Sequence, residues 1–216
     1  MIEKFVADYV RSYPLEKGTN TWLPPLVAYA DAADPLLLRL KDIISPSHAI
    51  PTDFLPDAQT VIAYFLPFGY LVVESNIPGR ESSRTWALAY VETNTLILDL
   101  NTALAYELER HGYQAAPIPA THNFDKVKLI SDWSHRHVAY IAGLGKFGLN
   151  NMLITAQGCC GRVGTIVTNV KVKATPRVSS EYCLYKVNGS CGICVQQCVN
   201  NALHEKSFNR QQCYTM

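Results

Sequence analysis

Apolar and polar residues follow two different periods along this chain. In the opening MIEKFVADYVRSYP, Ile2, Phe5, Val6, Tyr9 and Val10 recur at helical spacing among Glu3, Lys4, Asp8 and Arg11, which predicts an amphipathic helix. A second helix is expected over residues 31–44 (DAADPLLLRLKDII), after a loop punctuated by Pro24 and Pro25. The apolar run at 61–66 inside PDAQTVIAYFLPF has the length and β-branched content of a strand buried on both faces. The longest periodic segment, about 82–111, carries Trp86, Ala89, Tyr90, Thr93, Leu96, Ile97, Leu100, Leu104 and Leu108, and Gly112 supplies its stop. A strand at 113–118, a helix at about 131–141, and strands in NMLIT and VGTIVTNV follow. Helices alternating with strands predict an α+β (α/β-layered) domain over 1–175. Tyr64, Tyr90 and Tyr140 are read as core-facing.

Composition adds bounds. The chain has 216 residues, 48% of them hydrophobic and 17% charged. A chain of this size buries roughly 70% of its unfolded surface, enough for one domain with a small appendage. A net charge of +1 gives no global handle on nucleic acid or anionic membrane. The charges among the first residues interrupt the apolar stretch of a signal peptide, and no apolar run is long enough to span a bilayer. The expected setting is cytoplasmic, without membrane contact, where grouped cysteines point to metal or redox chemistry rather than disulfides.

Five of the seven cysteines fall in the distinct segment 176–216: Cys183, Cys191, Cys194, Cys198 and Cys213. Cys191, Cys194 and Cys198 match the second, third and fourth positions of the bacterial ferredoxin run C-x₂-C-x₂-C-x₃-C-P. The first position falls on Asn188, Cys183 stands five residues earlier, and Val199 replaces the proline. Two all-cysteine [4Fe–4S] clusters need eight ligands, so seven cysteines complete one at most. A closed four-cysteine zinc site and unmetallated thiols are the competing readings. Cys159 and Cys160, adjacent in QGCCGR, are read as structural.

AGLGKFG contains G-x-G-x-x-G, but the context opposes a dinucleotide site. The glycines close a helix instead of opening one, and the next acidic residue after Asp132 is Glu181. Close backbone approach to a flat ligand or a packed neighbour remains, beside a plain helix-to-strand turn. Asp132 and Arg136 are spaced for an i,i+4 ion pair. His135 and His137, two apart on a helix, point in different directions and do not form a chelating pair. Asp132, His135 and His137 are the candidate proton donors, and His122 in PATHNFD is a comparable one.

The strings PDAQTVIAYFLPF, SSRTWALAYVETNTLI and HRHVAYIAGLGKFGLN, followed by the cysteine run, occur in the order found in one group. Over roughly residues 55–213 the chain resembles the epoxyqueuosine reductase and reductive dehalogenase superfamily, particularly its short iron–sulfur members. The resemblance implies a nitroreductase-like domain over 1–175 that holds cobalamin. It implies a ferredoxin-like iron–sulfur segment over 176–216 that feeds it electrons. By the same resemblance, Gly143, Leu144, Gly145 and Gly148 lie against the corrin. The substrate is then a small molecule or modified nucleoside, and the electrons come from an external donor. No residues remain for the family's C-terminal tRNA-binding repeat, so tRNA binding is not expected, whereas a homodimer is common in nitroreductase-like folds. A non-catalytic electron carrier and a degenerate member with an incomplete cluster are the alternatives.

Overall fold

The structure is a computed structural model that describes residues 1–17 and 21–215. Its first half runs α1 (Ile2–Lys17), β1 (Leu26–Asp31), α2 (Pro35–Ile43), α3 (Pro51–Phe54), β2 (Thr60–Pro67), α4 (Tyr70–Ser75) and α5 (Arg84–Arg110). Then come β3 (Ala115–Pro117), β4 (Phe124–Asp125), β5 (Ile130–Ser131), α6 (His135–Ile141), β6 (Gly145–Phe147), β7 (Leu153–Thr155) and β8 (Gly161–Thr168). The last elements are the short helices α7 (Leu184–Asn188), α8 (Ile193–Gln196) and α9 (Arg210–Tyr214).

All eight residues of β2 are buried, as the apolar run predicts. Side chains alternate faces along a strand, and here each face has its own core. Ile62, Tyr64 and Leu66 pack with α1 and with Leu96, Leu100, Leu104 and Leu108 of α5. Val61, Ala63 and Phe65 pack with Leu37 and Leu40 of α2 and Val138 and Ile141 of α6. The sheet is ordered β1-β2-β8-β3, with every pair antiparallel. Helices thus cover both faces of one antiparallel sheet, an α+β arrangement.

Long α5 starts at a Ser83 cap, whose side chain accepts from Trp86 N–H at 3.0 Å. It ends where Gly112 takes φ +82°, a conformation that glycine adopts cheaply. Buried in its core face is Asn101, whose Oδ1 accepts from the Tyr64 hydroxyl at 2.8 Å. Its Nδ2 donates to the carbonyls of Ile118 and Thr165, each at 3.1 Å.

Several expectations need correction. The helix expected from residue 31 begins at Pro35, because β1 occupies Leu26–Asp31 and Asp34 caps α2. The helix expected from 131 begins at His135, because β5 takes Ile130–Ser131. Tyr90 does not face the core: it is exposed, and the Arg162 guanidinium lies 4.1 Å from its ring centroid. Tyr64 is fully buried and Tyr140 packs half-buried against the second core.

Candidate functional site

The chemistry-bearing residues gather along the loops on either side of α6. Asp132 lies in the turn between β5 and α6, ahead of the helix, so the expected Asp132–Arg136 pair does not form. Arg136 instead donates to the carbonyl of Asn151 at 2.7 Å. Asp132 Oδ1 meets His122 Nδ1 at 2.5 Å, and its Oδ2 accepts from Asn123 Nδ2 at 2.8 Å. Two local features bring them together. Asn123 adopts φ +43°, and the Ser131 hydroxyl donates to the His122 carbonyl across the β4–β5 hairpin.

The turn is also docked from outside. Ala49 N–H donates to the Asp132 carbonyl at 2.7 Å, and Ser134 N–H donates to His48 Nε2 at 3.0 Å. Phe54 stands edge-on to both His122 (5.2 Å) and Trp133 (5.0 Å). The pair is partly open, with side-chain exposures of 25% for His122 and 20% for Asp132. Among the described residues, His122 Nε2 has no hydrogen-bond partner. A carboxylate that holds Nδ1 fixes the imidazole and leaves Nε2 to take up or release a proton at a ligand.

The other two histidines are placed differently. His135 is buried in the core, with both nitrogens engaged. Nε2 donates to the Pro119 carbonyl at 2.8 Å, so Nδ1 accepts from the Thr165 hydroxyl at 2.9 Å, which itself accepts from Trp133 Nε1 at 3.0 Å. Burial, above all, brings its pKa down to about 4, keeping it neutral. It is not placed to hand a proton to a ligand. His137 is half-buried, pairs with Ser134 Oγ at 2.7 Å and lies against Phe147. Burial, followed by the nearby Arg136, holds it at about 4.

The glycine string closes α6 and enters β6. A Cβ on Gly143 would meet the Pro176 carbonyl oxygen at 2.7 Å, one on Gly145 the Ile154 carbonyl oxygen at 2.1 Å, and one on Gly148 the Ile154 side chain at 2.6 Å. Leu144 is buried in the second core. The space freed by the missing side chains is filled by the chain's own residues. These four positions do not fit an open face for a flat corrin.

The cysteine segment clasps the domain at several places, among them Arg80, which donates to the Val199 carbonyl at 2.6 Å, and Asp34, which pairs with Arg177. Lys186 Nζ donates to the Phe147 carbonyl at 2.6 Å, and Lys146 Nζ reaches Glu181 at 3.1 Å. At the other end, Gln211 and Arg210 of α9 donate to the carbonyls of Val127 and Leu129, in the hairpin beside His122 and Asp132. Burial works to raise the Cys183 thiol, but N–H groups of Leu149, Lys186 and Tyr185 outweigh it and lower its pKa. In the same way, N–H groups of Leu203, Ala202, Asn200 and Asn201 overcome burial at Cys198. At Cys194, burial and the charges of Cys183 and Cys191 push the thiol up, so these three share one electrostatic neighbourhood. Cys213 is exposed on α9. Among the described residues, no three His, Cys, Asp or Glu side chains converge as they do around a single metal ion. Cluster thiolates, by contrast, sit outside the corners of an iron–sulfide cage, so their sulfurs need not meet. Soft thiols with N–H groups aimed at sulfur are compatible with an iron–sulfur cluster, and such donors also suit zinc.

No protein-family model matches the chain, and no curated protein does. Solved structures of epoxyqueuosine reductases share its fold. An epoxyqueuosine reductase with a tRNA-Tyr epoxyqueuosine-modified stem loop matches at TM-score 0.59 and 17% identity, over 98% of this chain and 56% of that one. The Bacillus subtilis enzyme, with its catalytic aspartate loop swung out of the active site, matches at TM-score 0.58 and 16% identity, over 98% and 56%. The Streptococcus thermophilus enzyme matches at 0.55 and 16%, over 94% and 55%. The chain therefore spans little more than half the length of these relatives, and at such identity the likeness is one of fold. No helix among the described residues is long and apolar enough to cross a membrane.

Proposed function

We propose that this chain is an iron–sulfur oxidoreductase of the epoxyqueuosine reductase type. Its larger part is read as a nitroreductase-like domain, and its C-terminal segment as ferredoxin-like. The single observation behind the reading is the docking of the cysteine segment against the hairpin that carries His122 and Asp132. Cys183, Cys191, Cys194 and Cys198 are the residues to hold a [4Fe–4S] cluster, with Cys213 as the spare thiol. Such a cluster supplies single electrons, themselves drawn from an external donor. The chain's own contribution is proton management: Asp132 holds His122 by Nδ1, and Nε2 delivers a proton to the atom of the substrate that departs or is reduced. The glycine string does not fit a corrin, and no step is assigned to cobalamin.

The tRNA-bound relative supports a modified nucleoside as substrate, alongside other small epoxides. The test is anaerobic. A dithionite-reduced preparation is mixed with an epoxide-bearing nucleoside, and reoxidation of the cluster is followed by its absorbance. Reoxidation should occur in the wild type and slow about 100-fold in His122→Gln with iron content unchanged. A cluster that reduces but is never reoxidised by the epoxide contradicts the enzyme. It favours the electron-carrier reading.

A further inference from the structure

Cys159 and Cys160 take no part in the proposed function, and the sequence alone assigns them to structure. Their surroundings indicate chemistry. They follow the β7 turn, where Thr155 and Gly158 bond each other's backbone, and immediately precede β8. The Cys160 carbonyl is anchored by Phe68 N–H at 2.9 Å. Both thiols are only partly buried. The two thiols are neighbours in the chain, and Asn150 Nδ2 points at Cys159 Sγ from 3.8 Å. A partly open thiol with an amide donor aimed at it and a second thiol beside it in the chain has the arrangement of an attacking thiolate with its resolving partner. The adjoining Cys160 thiol, above all, brings Cys159 down to about 6, against the opposing effect of burial. The same neighbour, with burial, raises Cys160, so the pair carries one proton at neutral pH.

We propose that Cys159 and Cys160 form a redox-active vicinal dithiol that exchanges with low-molecular-weight disulfides. The Cys159 thiolate attacks one sulfur of R–S–S–R. That bond breaks, one R–S⁻ leaves and takes up a proton, and Cys159 holds a mixed disulfide. Cys160 gives up its proton, attacks Cys159 Sγ and expels the second R–S⁻, which is protonated in turn. The protein pair loses two electrons and its one proton, solvent supplies the second proton, and the small disulfide leaves as two thiols. Neighbouring Cα atoms lie about 3.8 Å apart, against about 4.4–6.8 Å in ordinary disulfides. The closed form is strained and easily reduced, so the site works reversibly.

The test uses the full chain, reduced and then exposed to hydroxyethyl disulfide. Trypsin cleaves after Lys146 and Arg162, releasing peptide 147–162 with no cysteines other than these two. The wild-type peptide should be two hydrogens lighter without an adduct, and dithiothreitol should restore it. Cys160→Ser should leave one hydroxyethylthio adduct on Cys159. Thiol release from the wild-type pair should change less than about twofold between pH 7 and 9, where an ordinary thiol gains roughly 25-fold. A wild-type peptide that stays unmodified, or that stops at a mixed disulfide, overturns the proposal. If the serine variant fails to fold, the wild-type peptide mass and pH profile still decide it.

Discussion

His135 shows how burial decides what a titratable side chain does. Its neutral tautomer completes the chain from Trp133 through Thr165 to the Pro119 carbonyl, and protonation would set an N–H against the Thr165 hydroxyl proton. The folded chain holds its pKa near 4 against an ordinary 6.5. Between those values the unfolded state binds more protons, so this contribution is whole above pH 6.5 and is lost as pH falls toward 4. The loss is up to about 3 kcal/mol. Thermal melts from pH 7 to 4.5 should therefore fall more steeply for the wild type than for His135→Gln, whatever the variant's stability at pH 7. Parallel curves would show that His135 does not carry the effect. Sequence alone could name His122, Asp132, His135 and His137 as titratable residues in loops and helices. It could not rank them, because only folding brings His122 to Asp132 across the β4–β5 hairpin and takes His135 into the core. Tyr90 misled for a related reason: it keeps the helical period of α5 but lies at the border of its apolar stripe, where Arg162 covers it.

At the scale of elements, the long signals were legible and the short ones were not. The all-apolar β2 and the 27-residue α5 can be read from period and caps alone. β1 hides behind two prolines in six residues with little alternation, and three-residue β3, β6 and β7 give no window in which to count a period. Asn101 also passes unnoticed in sequence, a polar residue within an apolar stripe, although it ties Tyr64 to the carbonyls of Ile118, just past β3, and Thr165 in β8. Asn101→Leu should lower unfolding free energy by about 3 kcal/mol in denaturant titrations, because it strands the Tyr64 hydroxyl in the core. An unchanged midpoint would show that the hydroxyl finds another partner. The glycine string makes a second prediction. A methyl on Gly145 points at backbone that has little room to move, so Gly145→Ala should destabilise by about 1–3 kcal/mol. Gly69→Ala, whose Cβ would sit an ordinary 3.4 Å from the nearest atom, should stay within about 0.5 kcal/mol. Equal effects would remove close packing as the reason for glycine at 145.

Across the whole molecule, a two-faced antiparallel sheet fixes where chemistry can be placed. α6 and its flanking loops pack on the face opposite α5, and the cysteine segment bridges from the β6 hairpin to the β4–β5 hairpin. The ferredoxin-like spacing was visible in the sequence, but the seating of α9, which follows it, on the β4–β5 hairpin depends on contacts from residues 80 or more positions away. The central claim is that this segment holds an iron–sulfur cluster. Its most direct test is quantification of iron, sulfide, zinc and cobalt in protein purified and reconstituted without oxygen. The account predicts about four irons and four sulfides per chain, with most lost in Cys198→Ser. One zinc per chain with no sulfide would contradict it.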